Sequence, residues 1–178
     1  MTTVRKFFFS RSVSILAVIG LIFIPISSCR VQYSFTGASI SPDIKTVSVE
    51  YFQNYASLVN PSLSRIFTEA LKDRFITQTS LNLVKENGDL QFSGQITSYS
   101  TSPIAIQGNE VAAKNRLTIS IKVKYENVKD SKYNFDKTIS QFEDFGGEQE
   151  FSSVEQTLVK TIVDKMVDEI FNSSVANW

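Results

Sequence analysis

Apolar and polar side chains alternate along several stretches of this chain, and the alternation is clearest between Val111 and Glu126. Apolar residues share one face of that stretch: Leu117, Ile119, Ile121, Val123 and Tyr125. A period of two residues indicates a β-strand with one buried face. The same pattern predicts strands over three other ranges: Lys45–Phe52, Leu90–Thr101 and Tyr133–Phe145.

Three local signals add detail to the predicted strands. Leu81–Val84 is a candidate short strand, and Asn87-Gly88 after it is a turn signal of the hairpin kind. In the first strand, the alternation places Tyr51 on the apolar face. In the last strand, the parity changes after Ile139, which predicts a β-bulge.

Two stretches follow the helical period instead. The first opens at Asn60-Pro61, where Asn is a favoured N-cap and Pro a favoured first helical residue, and it ends near Ser80. The second runs from Ser152 to about Asn172, and Ser152 with Glu155 matches a capping box. Each helix has one apolar stripe, so each needs a surface to pack against.

The order of the elements predicts the fold class. Strand, helix, three or four strands and a final helix are most economically packed as an α+β two-layer sandwich. We expect two helices on one face of a four- to five-stranded, mostly antiparallel sheet. The opposite face of that sheet is then polar and uncovered, and it is available to a ligand or a partner.

The N-terminus is basic and then strongly apolar, and this pattern indicates the cellular compartment of the protein. Three cations and no acid lie in residues 1–12, and the apolar run 13–26 spans about 21 Å as a helix, which is short of the hydrocarbon core. This pattern predicts a signal peptide over residues 1–28. A lipidated tether over 29–43 and a single α+β domain over 44–178 are expected to follow it.

The segment Ile26-Ser-Ser-Cys29 contains the chain's single cysteine and resembles a bacterial lipobox. In such proteins the signal is removed before the cysteine, which receives a diacylglycerol and often an N-acyl chain. Two acyl chains give stable membrane anchoring. An ordinary signal peptide with a chance cysteine, or an uncleaved signal anchor, is the alternative.

Composition excludes several classes of function. Removing the signal's three cations leaves 15 Lys and Arg against 18 Asp and Glu, so a nucleic-acid partner is not expected. The chain has no histidine, which removes the commonest general base and metal ligand. The acids at 143–150 lack a recognisable metal-loop spacing. We therefore expect neither an enzyme nor a metal, and no cofactor apart from the acyl chains.

After its lipobox-like segment, the chain resembles the LptE family of lipopolysaccharide-assembly lipoproteins. The resemblance extends over nearly all of the sequence after the signal, in order and pattern rather than in a catalytic signature. It is carried by Tyr33–Gly37, Lys45–Phe52, Asn60–Leu63, Gly88–Ile96, Ile104–Asn109, Arg116–Ile119, Asp168–Phe171 and Val175–Trp178.

This resemblance implies an outer-membrane lipoprotein that is not an enzyme. It implies a protein that plugs a large β-barrel, LptD, and assists the insertion of lipopolysaccharide (LPS) into the outer membrane. A different class of function remains open: a lipid-anchored scaffold, or a lipid-binding subunit, of another cell-envelope complex.

Four cations on the polar face of the clearest strand are candidate ligands for LPS phosphates: Lys114, Arg116, Lys122 and Lys124. The alternative is a solvated face, or lysines that protect an edge strand. Two further candidates concern partner contact. Ile104 and Ile106 are apolar in a predicted connection over 102–110, and Trp178 ends the chain. Packing of either on the domain's own core is the alternative.

The cationic strip yields a first prediction. Replacing both Arg116 and Lys122 by Glu is expected to weaken LPS binding in vitro, because charge-assisted hydrogen bonds to phosphate are among the stronger ones. Arg116 is the preferred member, since its planar fork can grip a phosphate with two bonds. Unchanged binding by the folded double variant would dismiss the strip as a phosphate site.

Overall fold

The structure is a computed structural model that describes residues 40–58, 60–104 and 114–176. The predicted signal peptide, Cys29, most of the tether, Ile106 and Trp178 lie outside the described residues. The elements are β1 Thr46–Val49, β2 Gln53–Asn54, α1 Leu63–Gln78, β3 Asn82–Val84, β4 Leu90–Ile104, β5 Lys114–Asn127, β6 Phe135–Gly146 and α2 Phe151–Phe171. A 3-10 turn, Ser131–Tyr133, precedes β6, and a π-helical turn, Asn172–Ala176, follows α2.

The strands form one six-stranded sheet in the order β3-β1-β4-β5-β6, with β2 also pairing with β4. The predicted α+β fold is confirmed, but the sheet is mixed rather than mostly antiparallel. The β1 strand is parallel to both β3 and β4, whereas β4, β5 and β6 are antiparallel. Parallel pairing follows from α1, because a helical crossover returns the chain to the end of the sheet from which β1 started.

The predicted hairpin at Asn87-Gly88 is wrong, because β3 and β4 lie on opposite sides of β1. The chain instead crosses over β1, and a Cβ on Gly88 would lie 2.5 Å from the Ser48 nitrogen. Asp89 fixes this crossing by accepting hydrogen bonds from the Lys45 and Thr46 amides at 2.9 and 3.0 Å. These bonds lower the pKa of Asp89 to about 2.

The two helices pack side by side on one face of the sheet and run parallel to each other. Near their starts, Asn60 Nδ2 donates to Glu155 Oε1 at 2.7 Å, and near their ends Arg74 pairs with Asp168. The Tyr99 hydroxyl of β4 donates to the same Glu155 oxygen at 2.5 Å. Burial of Tyr99 is the main cause that raises its pKa. Glu155 therefore joins both helices to the sheet.

Both predicted helix caps are wrong in position. The first helix begins at Leu63 with Ser62 as N-cap, and Asn60 instead accepts hydrogen bonds from the Ser62 amide and hydroxyl. The second helix begins at Phe151 with Glu150 as N-cap, and no side chain caps it. The capping box fails because the Glu155 carboxylate bonds to Asn60 and Tyr99 rather than to its own helix start.

The apolar faces confirm most of the predicted core. The five apolar residues of β5 are fully buried: Leu117, Ile119, Ile121, Val123 and Tyr125. In the first strand, Phe52 is fully buried and Tyr51 is 51% exposed, because the chain leaves the regular strand after Val49. No bulge interrupts β6 at Ile139; the register shift lies in β4, between Ile96 and Ser98.

Gly94 lies where the backbone conformation and the neighbouring atoms leave no room for a side chain. Its φ is +154°, and a Cβ there would lie 2.1 Å from the Lys122 carbonyl oxygen and 2.7 Å from the Phe52 ring. We expect Gly94→Ala to lower the free energy of unfolding by roughly 2–5 kcal/mol, through backbone strain and overpacking. Urea unfolding measures this.

Gly146 provides the matched control, because a Cβ there would meet only the Gln149 side chain, at 3.4 Å. Gly146→Ala is expected to change the free energy of unfolding far less. Equal losses in the two variants would contradict the close approach at Gly94.

Candidate functional site

The candidate site is the face of β4, β5 and β6 that points away from the helices, which we call the polar face. Even-numbered residues of β5 and β6 lie on it. In β4 the register shift after Ile96 changes the parity, so odd positions lie on this face before the shift and even positions after it. The crossing over residues 85–89 lies over this side of the sheet at β1, where the Gly88 amide donates to the Ser48 hydroxyl.

The register sets the polar face out in rows across three strands. From β4 through β5 to β6, the rows are Ser93–Lys124–Asp136, Gln95–Lys122–Thr138, Ser98–Ser120–Ser140, Ser100–Thr118–Phe142, Ser102–Arg116–Asp144 and Ile104–Lys114–Gly146. The four predicted cations therefore do share one face. An acid occupies the β6 position of the Lys124 row and of the Arg116 row.

Three of the four cations are paired with acids. Arg116 makes a two-bond pair with Asp144, with Nε–Oδ1 at 2.7 Å and Nη2–Oδ2 at 3.0 Å. Lys122 lies 3.3 Å from Asp136, and Lys124 lies 2.9 Å from Glu126. Among the described residues, Lys114 has no ion pair.

The Arg116–Asp144 ion pair on the polar face is made by two hydrogen bonds. The Arg116 guanidinium also lies 3.7 Å from the centroid of the Phe142 ring, which is 44% exposed. The hydrogen bonds from Arg116 lower the pKa of Asp144, and those to Asp144 raise the pKa of Arg116. The pair therefore holds two charges and one exposed aromatic ring in fixed positions.

The middle rows carry uncharged hydroxyl groups. Ser120 and Ser140 share a hydrogen bond between their hydroxyls at 2.8 Å. Ser100, Thr138 and Ser140 are exposed, and Ser98, Thr118 and Ser120 are half-buried. Sequence reasoning grouped the cations and passed over these hydroxyls, although their alternating positions in β5 were visible.

The structure gives a position for one of the three residues predicted to contact a partner, and it tests none of those contacts. Ile104 is the last residue of β4 rather than part of a loop, and it lies opposite Lys114 with its side chain half-buried. Contact of Ile104 with a partner stays a prediction. Ile106 and Trp178 lie outside the described residues, so their predicted roles also stay predictions.

A second surface feature escaped the sequence reasoning. Between β1 and α1, three apolar side chains are exposed: Tyr51 by 51%, Tyr55 by 68% and Leu58 by 52%. The backbone beneath them is held in place, since the Tyr55 amide donates to the Ile96 carbonyl and the Phe52 amide donates to the Thr68 hydroxyl. Three exposed apolar groups on a fixed segment are suited to contact with another molecule.

The described residues contain neither a cluster suited to a metal ion nor a membrane-spanning helix. Within residues 40–58, 60–104 and 114–176, no group of three or more acids, cysteines or histidines is placed to hold a metal ion. Over the same residues, no helix is long and apolar enough to cross a membrane.

The described residues form an α+β domain with one helix-covered and one open sheet face. The sequence matches the family model LptE, lipopolysaccharide-assembly, over residues 44–174. The match covers most of the chain, including all six strands and both helices, so the protein belongs to the LptE family. The family resemblance is therefore confirmed. Membership makes the protein a non-enzymatic, membrane-associated lipoprotein with a role in lipopolysaccharide assembly.

Several solved structures are similar to this chain, and the fold likeness rests on the one with a TM-score of 0.50. The hypothetical protein CT253 from Chlamydia trachomatis has a TM-score of 0.50 at 9% identity, covering 75% of this chain and 99% of that one. A minor lipoprotein from Acinetobacter baumannii has a TM-score of 0.49 at 14% identity, covering 74% and 94%. The rare lipoprotein B from Shewanella oneidensis has a TM-score of 0.42 at 14% identity, covering 72% and 92%. No match was found among curated protein sequences.

The Arg116–Asp144 pair yields a prediction about titration. In the folded protein, Asp144 is expected to titrate below its ordinary pKa of 3.8, because Arg116 stabilises its charged form. A carboxylate with a lowered pKa stabilises the fold above the ordinary pKa, and this contribution is lost as the pH falls through the lowered value. In Arg116→Gln, the Asp144 pKa is expected to rise toward 3.8.

Carboxyl-detected NMR titration measures this pKa directly. Lys124→Gln is the matched control, since Lys124 pairs with Glu126 and not with Asp144. An Asp144 pKa that is the same in Arg116→Gln and in the wild type would show that the pair does not set it.

Proposed function

We propose that this protein is an outer-membrane lipoprotein that plugs an LptD-type β-barrel and assists the insertion of LPS into the outer membrane. The observation that carries the proposal is the LptE family match over residues 44–174, which covers all six strands and both helices. The family sets the role in LPS assembly. The barrel partner and the outer-membrane location are our inference.

The surface of the domain supports a place inside a barrel. The interior of a large transmembrane barrel is polar and wet, so a plug needs a surface that is mostly hydrophilic. The polar face meets that need on one side of the sheet. The segment with Tyr51, Tyr55 and Leu58 supplies a local apolar contact, and Tyr is enriched at protein interfaces.

The anchor we propose is Cys29, carrying a diacylglycerol and an N-acyl chain after removal of residues 1–28. Each buried CH₂ contributes about 0.8 kcal/mol of membrane affinity, and two or more chains anchor stably. The stretch from Cys29 to Ile40, where the described domain begins, reaches at most about 40 Å when extended. The domain would thus stay close to the membrane that holds its lipid.

Binding of LPS phosphates by Lys114, Arg116, Lys122 and Lys124 stays part of the proposal. A phosphate at Arg116 would compete with Asp144, and a phosphate at Lys122 would compete with Asp136. Among the described residues, no acid forms an ion pair with Lys114, so a phosphate at Lys114 would not have to displace one. Phosphate contact is therefore easiest at the Lys114 end of the strip.

The experiment is a pull-down of tagged full-length protein from its own membranes in mild detergent, followed by mass spectrometry. We expect a large β-barrel in near one-to-one amount. Absence of a barrel, or recovery of a different envelope complex, would contradict the plug and favour a scaffold or lipid-binding subunit.

Cys29→Ser separates anchoring from capture of the barrel. This variant is expected to lose incorporation of labelled fatty acid, because the thiol that carries the lipid is gone. Unchanged incorporation would rule out Cys29 as the lipidation site. If the domain itself contacts the barrel, the variant should still bind barrel protein that is added in detergent.

A further inference from the structure

The charge of the polar face is largely neutralised within the face itself. Its cations Arg116, Lys122 and Lys124 lie within 3.3 Å of Asp144, Asp136 and Glu126, respectively. A polyanionic ligand would have to break these pairs before it could use the cations. A neutral ligand would leave every pair intact, so the charge pattern favours an uncharged partner for the middle of the face.

That middle is a hydroxyl band, which we define as Ser98, Ser100, Thr118, Ser120, Thr138 and Ser140. The band lies between the Arg116–Asp144 pair and the Lys122–Asp136 pair. Arg116 and Lys122 are six residues apart in β5, or about 20 Å, and the three strands are spaced about 4.8 Å apart. The band is therefore wide enough for several linked sugar rings.

The chemistry of the band matches that of a saccharide. Each Ser or Thr hydroxyl is both a donor and an acceptor, as is each hydroxyl of a sugar. The exposed Gln95 amide, which lies beside Lys122, adds one more donor and acceptor. Single side chains of this kind are common on surfaces. Here six lie in register on one sheet, bounded by charges that are already paired.

Phe142 gives the band an apolar contact. Its ring is 44% exposed and lies in the same row as Ser100 and Thr118. The Arg116 guanidinium, 3.7 Å from the ring centroid, restrains it through a cation–π contact. A restrained aromatic ring beside hydroxyls can meet the C–H face of a sugar while the hydroxyls meet its edge.

We infer that the polar face binds an uncharged oligosaccharide, through the hydroxyl band and Phe142. The ligand to which we commit is the uncharged outer part of the LPS glycan, and this choice of source rests on the proposed function. The sugar site lies next to the phosphate candidates and is distinct from them. It would let the protein hold the glycan while the acyl chains stay elsewhere.

The test uses full-length lipidated protein in detergent micelles. The probes are a neutral oligosaccharide from the outer part of the LPS glycan, free of phosphate and of acidic sugars, and, separately, lipid A without sugars beyond its own backbone. Calorimetry or saturation-transfer NMR measures binding of each. We expect the oligosaccharide to bind, and Phe142→Ala to weaken that binding by about tenfold, equivalent to about 1.4 kcal/mol.

Two further variants keep the test decisive. Ile76→Ala is the matched control, since Ile76 is 48% exposed but lies on α1. It should bind the oligosaccharide like the wild type. Ser100→Glu places a charge in the exposed centre of the band, and it should weaken binding even if Phe142→Ala unfolds the protein. Thermal melting checks the fold of each variant.

The outcomes separate this inference from the proposed function. Binding of lipid A with no binding of the oligosaccharide would overturn the sugar site. The sugar site would also be overturned if the protein binds no oligosaccharide and Phe142→Ala loses capture of the barrel. That result would make the polar face a contact with the barrel, and the proposed plug function would still hold. Oligosaccharide binding that Phe142→Ala and Ser100→Glu weaken would support the site, even if no barrel is recovered in the pull-down.

Discussion

A column of aromatic rings joins the two layers of this domain, and the rest of the structure depends on it. Phe171 of α2 contacts Phe75 of α1, which contacts Phe92 of β4, and Tyr125 and Phe135 continue the column across β5 and β6. Successive ring centroids lie 4.8–5.2 Å apart. Such pairs stabilise beyond the area they bury, so both helices and three strands share one set of contacts. The column lies on the helix side of the sheet, and the polar face lies on the other side.

Sequence patterns were enough to predict the layers but not the order of the strands. Alternation is a local property, and it placed the five apolar residues of β5 correctly. Strand order depends on which distant segments pair, and the insertion of β1 between β3 and β4 has no local signal. Asn87-Gly88 shows the difference. Its composition favours a tight turn, and the chain does turn there, but it crosses a strand instead of closing a hairpin.

The candidate site was predictable in part for the same reason. The parity of β5 put Lys114, Arg116, Lys122 and Lys124 on one face from sequence alone. Their partners could not be found, because Asp136 and Asp144 reach Lys122 and Arg116 only through the β5–β6 register. The role of Glu155 was predicted wrongly for a similar reason. The local motif predicts a helix cap, but the Glu155 carboxylate instead accepts hydrogen bonds from Asn60 and Tyr99.

The position of β1 has a consequence for how the chain folds. Its neighbours on both sides, residues 82–84 and 90–92, come some forty residues later in the sequence. A chain that lengthens from its N-terminus would leave this apolar strand unpaired until β3 and β4 have emerged, with Gly88 closing over it afterwards. Unpaired apolar strands are prone to aggregate during folding. The finished fold conceals this vulnerability, because β1 lies between β3 and β4 with both of its edges paired.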